Sequence, residues 1–226
     1  MTARVHTPQE HPFEFIEHVA VAITLLRERE GQGHVGIFHK DETTSELRMI
    51  HLAWHHSLKN SRPKSSYAWI SPPIPKRRAR QVAAFCRRVY RANALGIPYA
   101  FSQATDCFDQ QTGAFILGPD RNGLTCASFV LGVFQSAGLP LIQYGTWPRI
   151  RDGDEEWQRL ILSQLKEDEA STEHIRRVES EVGSVRYRPE DVAGAAATER
   201  LPASFVQVQP LAEAILAKLH SDGLLT

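Results

Sequence analysis

Cys126 is the residue whose position most strongly indicates covalent chemistry. It follows a glycine-containing turn and opens an apolar stretch in the segment NGLTCASFV, residues 122–130. We predict a buried helix over residues 125–135, because apolar side chains occupy nearly all of its faces. The first N–H groups of such a helix and its dipole favour the thiolate, the nucleophilic form of cysteine. The same N–H groups can contribute to an oxyanion hole, although a buried cysteine used only for packing is the simpler alternative.

Two upstream histidines are candidates for a general base and for the group that orients it. His34 begins the short apolar run HVGIFH, and His51 lies in a second run, LRMIHLAW. We interpret both runs as strands joined by a hairpin, which can bring His51 beside His34. His34 can then deprotonate a thiol on a separate helix while His51 orients the imidazole through its second nitrogen. His55 and His56 are alternatives for the orienting role, and surface histidines without a catalytic role are the alternative for the whole set.

The elements that position these residues are predicted from hydrophobic periodicity. We expect an antiparallel meander built from four apolar runs with strand character, over residues 18–26, 34–39, 47–54 and 67–70. Residues 76–95 carry apolar side chains at helical spacing with arginines on the other face, and Gly96 is placed to end that helix. Residues 97–125 form a long irregular loop bordering the predicted site, and long loops are often functional. Its charged residues can contact a substrate, but the sequence does not select among Asp106, Asp109, Asp120 and Arg121.

The last third of the chain has a different composition. Residues 152–182 are strongly charged, which predicts one or two exposed helices that either are simply solvated or cap the cleft. The patch AGAAAT at 193–198 is typical of a linker, and 211–219 is typical of a short amphipathic helix. We therefore assign residues 1–150 to one domain and residues 151–226 to a charged helical extension that packs on the same domain.

Whole-chain composition makes several classes of protein less probable. Among 226 residues, 26 basic side chains balance 26 acidic ones, which argues against a nucleic-acid binder driven by net charge. No stretch approaches the roughly 20 apolar residues of a membrane span, and no signal-peptide pattern opens the chain. We expect a cytoplasmic protein without stable membrane insertion. Three cysteines without a CxxC pair predict reduced thiols, and His51 and His55 lack an accompanying ligand motif, so we expect no metal or other cofactor.

Three parts of the sequence together resemble the NlpC/P60 superfamily of papain-like cysteine peptidases. That family has a His-Val-Gly-Ile-Tyr strand with a downstream Ile-His, a helix followed by Gly-x-Pro-Tyr, and an Asp-Cys-Ser-Gly-Leu-Val nucleophile helix. The similar segments here are HVGIF at 34–38 with IH at 50–51, the predicted helix 76–95 with GIPY at 96–99, and TCASFV at 125–130. The resemblance covers roughly residues 18–145.

The order of these segments is reversed relative to most of the family. Both histidine strands precede the cysteine helix, as in the circularly permuted branch that includes lecithin:retinol acyltransferase-like and YiiX-like proteins. A triad is defined by geometry and not by chain order. Thr125 stands where the usual family has Asp, and Ala127-Ser128 replaces Ser-Gly, which leaves the substrate class open. The resemblance implies an α+β, papain-like fold in permuted order, with a small antiparallel sheet packed on a buried nucleophile helix and extra C-terminal helices.

The resemblance also implies an activity, that of a cysteine hydrolase cleaving a peptide or isopeptide amide through a thioester acyl-enzyme. Cys126 would attack, His34 would act as base and then acid, and His51 would orient His34. Tyr99 and Thr125 would contact the peptide or acyl-amide substrate, although Tyr99 can equally be a packed aromatic. The alternatives are an acyltransferase or thioesterase acting on a lipid acyl group, and a catalytically inactive papain-like binding domain. The sequence predicts no oligomeric state.

Overall fold

The α+β class predicted from the sequence is confirmed. The computed structural model describes residues 4–26, 32–41, 43–101, 105–117 and 123–225. Within these ranges the chain forms one five-stranded sheet, with strands β1 (Val19–Leu25), β2 (Gly33–Lys40), β3 (Leu47–Trp54), β4 (Ser57–Ser61) and β5 (Ala68–Ile70). The same ranges hold six α-helices, namely α1 (Lys76–Ala92), α2 (Cys126–Ser136), α3 (Asp154–Glu167), α4 (Thr172–Ser180), α5 (Pro189–Ala196) and α6 (Phe205–Ser221). No helix in this described part is both long and apolar enough to cross a membrane.

The sheet is antiparallel throughout, with strand order β4-β3-β2-β1-β5. The four predicted strands are confirmed to within about two residues at each end. The prediction missed β4, because its sequence SLKNS has no apolar run. This strand forms the half-exposed edge of the sheet, where polar side chains are tolerated on both faces.

Helix α2 lies at the centre of the core. This position explains why its sequence is apolar on nearly all faces. Every residue of α2 except Gln135 is buried, and the helix packs against β2 and β3 on one side and against α1 and α5 on others. The main core contains side chains from both assigned segments, such as Ile37 and Phe129 from residues 1–150 and Ile161 and Val192 from residues 151–226. The charged helices α3 and α4 therefore have a buried face as well as a solvated one.

The interpretation of residues 193–198 as a linker is wrong. Most of this patch lies in α5, which is buried and packs against β1, β2 and α6. Its small side chains reflect close packing, because an added Cβ at Gly194 would lie 3.0 Å from Val208 Cγ1 and 3.1 Å from the Ala212 nitrogen of α6. A run of Ala and Gly is therefore a contact surface here.

Two predicted helix ends are also corrected. The first helix ends at Ala92, because the Asn93 side chain donates to the Val89 carbonyl at 2.6 Å, and Gly96 follows after the helix has stopped. The last helix begins at Phe205 and is longer than predicted. The prediction began after Pro210, because proline usually marks a helix boundary, but the helix continues through it. Its start is fixed by a capping box between Ser204 and Gln207.

The contact between α5 and α6 predicts a cost for any side chain at position 194. We expect Gly194→Ala to lower the free energy of unfolding by about 1–3 kcal/mol, because its Cβ would press on the α6 backbone. Gly145→Ala is the matched control, since nothing lies within 4 Å of an added Cβ there. Urea unfolding of the three proteins measures the difference. Equal stability of the two variants would contradict this account of α5.

Candidate functional site

The site is built where the pairing of two central strands stops. The β2–β3 ladder runs from Lys40↔Leu47 to Ile37↔Ile50 and then ends, although β2 begins at Gly33 and β3 continues to Trp54. Beyond the ladder, the Val35 N–H donates to the thiol of Cys126. The sulfur is therefore near the backbone of Val35, the residue that follows His34. A backbone donor that would otherwise need a strand partner is satisfied by the cysteine.

Helix α2 begins at Cys126, and its start is tightly capped. Thr125 is the N-cap, and its hydroxyl accepts from the Ser128 N–H at 3.1 Å, while the Ser128 hydroxyl accepts from the Thr125 N–H at 2.8 Å. This reciprocal pair is a capping box with Ser in place of the usual Glu or Gln. It fixes the first turn of the helix, which carries the cysteine. The predicted helix position of Cys126 is confirmed.

The two predicted strand histidines lie in contact. His34 Nε2 and His51 Nδ1 are 2.7 Å apart, and the rings meet edge to face with centroids 4.9 Å apart. The approach of the two strands at this point depends on Gly36, because an added Cβ there would lie 2.9 Å from His51 Cβ and 3.0 Å from the Ile50 carbonyl oxygen. Gly36 therefore lets β3 come close enough for the two imidazoles to meet.

The choice among the downstream histidines is settled by position. His51 is the one that contacts His34, whereas His55 Nδ1 accepts a hydrogen bond from the Tyr99 N–H at 3.1 Å. The Tyr99 carbonyl accepts from His174 Nε2 at 3.0 Å, so two histidines hold the backbone of this one residue. The side chain of Tyr99 hydrogen-bonds the Cys126 thiol. His55 thus acts on the site through Tyr99 and not as a partner of His34.

Burial controls the protonation of both histidines. Burial, and to a lesser extent the nearby His51, lower the pKa of His34 to about 3. The pKa of His51 is lowered to about 4, chiefly by burial and then by the charges of Lys64 and Lys59. Both imidazoles are therefore neutral at neutral pH, with one hydrogen between the two facing nitrogens.

The thiol of Cys126 does not follow the expectation from its helix position. Burial raises its pKa, and this effect outweighs the N–H groups of Val35 and Ala127, which lower it. The charge of Arg186 and the hydroxyl of Tyr99 also favour the thiolate, to a lesser extent. The resting pair is thus a neutral thiol and a neutral imidazole, and the first turn of α2 supports the thiolate only once it forms.

All five predicted site residues line one cavity of about 540 Å³. Cys126 and Thr125 come from the start of α2, His34 and His51 from the sheet, and Tyr99 from the loop after α1. Sequence reasoning missed the rest of the wall, which includes Trp54, Lys64, Tyr67, Trp157, Gln164, Glu167, Asp168, Arg186 and Tyr187. The charged C-terminal segment therefore forms one side of the cleft. Trp157, an isolated tryptophan within a charged run, was the available signal.

The loop residues proposed as substrate contacts do not form the cavity wall where they are described. Asp109 accepts from the N–H and hydroxyl of Thr112 within its own turn, and Asp106 pairs with Gln135. Asp120 and Arg121 lie outside the described residues. Tyr99, near the beginning of this loop, does line the cavity.

Comparison with known proteins adds no family assignment. No protein-family model, curated protein or solved structure matches this chain. Across the part of the chain that the structure describes, no group of three or more His, Cys, Asp or Glu residues is arranged to hold a metal ion.

The histidine pair predicts a specific acid sensitivity. Because both folded pKa values lie below the value of about 6.5 expected in the unfolded chain, the unfolded state binds more protons and stability is lost as pH falls from about 6.5 towards 3. In His51→Gln, unfolding near pH 5 should take up about one proton fewer, so the free energy of unfolding should fall less steeply between pH 6 and 4.5. Urea unfolding across this range measures the slope.

The control for the acid experiment is His220→Gln, which removes an exposed histidine from the end of α6. Its slope should parallel that of the unmodified protein. If His51→Gln also runs parallel, the buried neutral pair is not present in solution.

Proposed function

We propose that this protein is a papain-like thiol hydrolase with its elements in permuted order, cleaving an amide bond through a thioester acyl-enzyme. The observation that carries the proposal is the 2.7 Å contact between His34 and His51 in the same cavity as a cysteine that starts a buried helix. The strands β1–β5 precede α2 in the chain, and α2 packs on β2 and β3. This arrangement agrees with the permuted resemblance noted in the sequence.

The tautomer of His34 follows from its contact with His51. When His34 donates from Nε2 to His51 Nδ1, its own Nδ1 carries the lone pair and can take the thiol proton. Cys126 Sγ then attacks the substrate carbonyl carbon. His34 returns the proton to the departing amine, which leaves the acyl group on sulfur. Water, activated by the same nitrogen, hydrolyses the thioester and restores the thiol.

The polar groups around the sulfur act on the charge that develops during attack. Hydrogen bonds from the N–H groups of Val35 and Ala127 and from the hydroxyl of Tyr99 lower the pKa of the thiol, and they stabilise the sulfur as it loses its proton. The N–H groups at the first turn of α2 would donate to the oxyanion of the tetrahedral intermediate. Because the resting pair is neutral, attack and proton transfer occur together, and no standing thiolate–imidazolium pair is required.

The lining of the cavity favours a polar amide substrate over a long lipid acyl chain. Lys64, Glu167, Asp168 and Arg186 bring four charged side chains to its wall, and burying an alkyl chain among them would desolvate these charges without replacing their partners. The aromatic residues Trp54, Tyr67 and Trp157 supply flat apolar surfaces between them. Action on a lipid acyl group is therefore the second candidate.

The test is acyl-enzyme formation with p-nitrophenyl acetate. We expect a burst of one nitrophenolate per chain and an acetyl adduct on Cys126 by peptide mass spectrometry. Cys126→Ala should abolish both, and His34→Gln should slow the burst by about 100-fold or more, since a general base contributes that much. Cys107→Ala is the matched control, because Cys107 is buried and does not line the cavity.

The role of His51 is tested by two substitutions of different chemistry. His51→Gln keeps a hydrogen-bonding group towards His34 and should retain more of the burst rate than His51→Leu, which removes it. A binding domain without activity would give no burst and no adduct. Rapid turnover of long-chain acyl thioesters together with no cleavage of peptides would favour the lipid candidate.

A further inference from the structure

One cation at the cavity wall has an unused hydrogen-bond donor. The Arg186 side chain is 12% exposed, and its guanidinium lies over the Trp157 ring at 3.8 Å from the centroid. Its Nε–H has no hydrogen-bond partner among the described residues. A buried donor of this kind is costly unless a ligand satisfies it. Arg186 is also close enough to Cys126 for its charge to lower the pKa of the thiol.

The carboxylates behind Arg186 do not fully neutralise it. Asp154 is nearly inaccessible and is shared by three arginines, with Arg188 at 2.8 Å, Arg186 at 3.3 Å and Arg151 at 3.5 Å. The second buried carboxylate, Asp191, is taken by Arg151 at 2.7 Å. Three cations thus share two carboxylates. Arg186 holds a single contact to Asp154, on the same oxygen that Arg188 holds at the shorter distance.

The other acidic groups near this network do not restore the balance. Among the described residues Glu190 makes no ion pair with Arg151, Arg186 or Arg188, and burial raises the pKa of its carboxyl group. Glu167 and Asp168 line the cavity but lie exposed at its rim, where Asp168 accepts from Trp54 Nε1 at 2.6 Å. The inner wall of the cavity is therefore cationic, while its carboxylates face solvent.

A second unused group lies on the same wall. The side-chain oxygen of Gln164, on α3, is buried, and no described residue donates to it. Two residues of the cavity lining thus carry one charged donor and one neutral acceptor, both buried and both without partners among the described residues. A carboxylate satisfies the first, and an amide N–H satisfies the second.

We propose that Arg186 and Gln164 form a subsite for a carboxylate carried by an amide-linked substrate, the chemistry of an acylated amino acid or an acidic peptide. Trp157 forms the flat surface on which the guanidinium is held. This assignment deepens the proposed hydrolase function and rests on it, because the ligand is a substrate only if the protein is a hydrolase. The recognition of the carboxylate itself requires no turnover.

The experiment uses two alkylating reagents of nearly equal shape, iodoacetate and iodoacetamide, which differ in charge. In both reactions the Cys126 sulfur displaces iodide from carbon. The rate with iodoacetate divided by the rate with iodoacetamide therefore reports the preference of the site for a carboxylate. We expect this ratio at Cys126 to exceed the ratio for free N-acetylcysteine by about tenfold, the size of effect that one charge-assisted hydrogen bond gives. Mass spectrometry of the labelled peptides assigns each rate to Cys126.

The variant is Arg186→Met, which keeps much of the side-chain volume over Trp157 and removes the charge. Its rate ratio should return to that of N-acetylcysteine. Arg188→Met is the matched control, because it removes a cation from the same Asp154 carboxylate but does not line this cavity. It should keep the elevated ratio. Circular dichroism and thermal melting test whether both variants fold.

A second measurement on the unmodified protein decides the matter even if Arg186→Met does not fold. N-acetylglycinate should slow the labelling of Cys126 by iodoacetamide, and the uncharged N-acetylglycinamide should not. Equal protection by both compounds, or an iodoacetate to iodoacetamide ratio no higher than that of N-acetylcysteine, would overturn the subsite. A carboxylate preference without the nitrophenolate burst would refute the hydrolase while leaving the subsite in place. A nitrophenolate burst without a carboxylate preference would refute the subsite while leaving the hydrolase in place.

Discussion

The arrangement of the site depends on the point where β2 stops pairing with β3. The ladder ends at Ile37 and Ile50, and the Val35 N–H beyond it donates to Cys126 instead of to a strand. One residue away, Gly36 allows His51 to approach β2, so that His34 and His51 meet. Had the ladder continued, the Val35 donor would have been used within the sheet. The end of the pairing thus supplies both a donor for the sulfur and room for the two imidazoles.

Burial has opposite consequences for the two reacting groups, and together they explain the resting state. Removing water raises the pKa of the Cys126 thiol and lowers that of His34, so that both groups favour their neutral forms. Under the proposed mechanism, the thiol stays protonated until its attack on a substrate begins. The positive charge of Arg186 and the donors at the start of α2 then act on negative charge only as it forms.

The sequence was informative where function depends on local patterns. The helix start at Cys126 and the hairpin that joins His34 to His51 both follow from short-range periodicity, and both are confirmed as positions. The sequence could not show that Arg186 and Trp157 would reach the cavity, because their approach depends on how the last third of the chain packs. It also misrepresented α5, since small residues are typical of linkers and of close helix contacts alike. The sequence also misjudged the direction of the pKa shift of the Cys126 thiol. Its helix position favours a lowered pKa, but burial, which depends on the complete core, raises it.

The wall of the cavity is contributed by parts of the chain that are far apart in sequence. His34 and His51 come from the sheet, Cys126 follows some 75 residues later, and Trp157 and Arg186 come later still. During synthesis the two histidines therefore leave the ribosome well before the cysteine, and the cationic wall follows last. A chain interrupted after α2 would hold a cysteine and its two histidines without the arginine wall. The complete cavity wall is thus a late product of synthesis, and a partly made chain carries its thiol without Trp157 and Arg186.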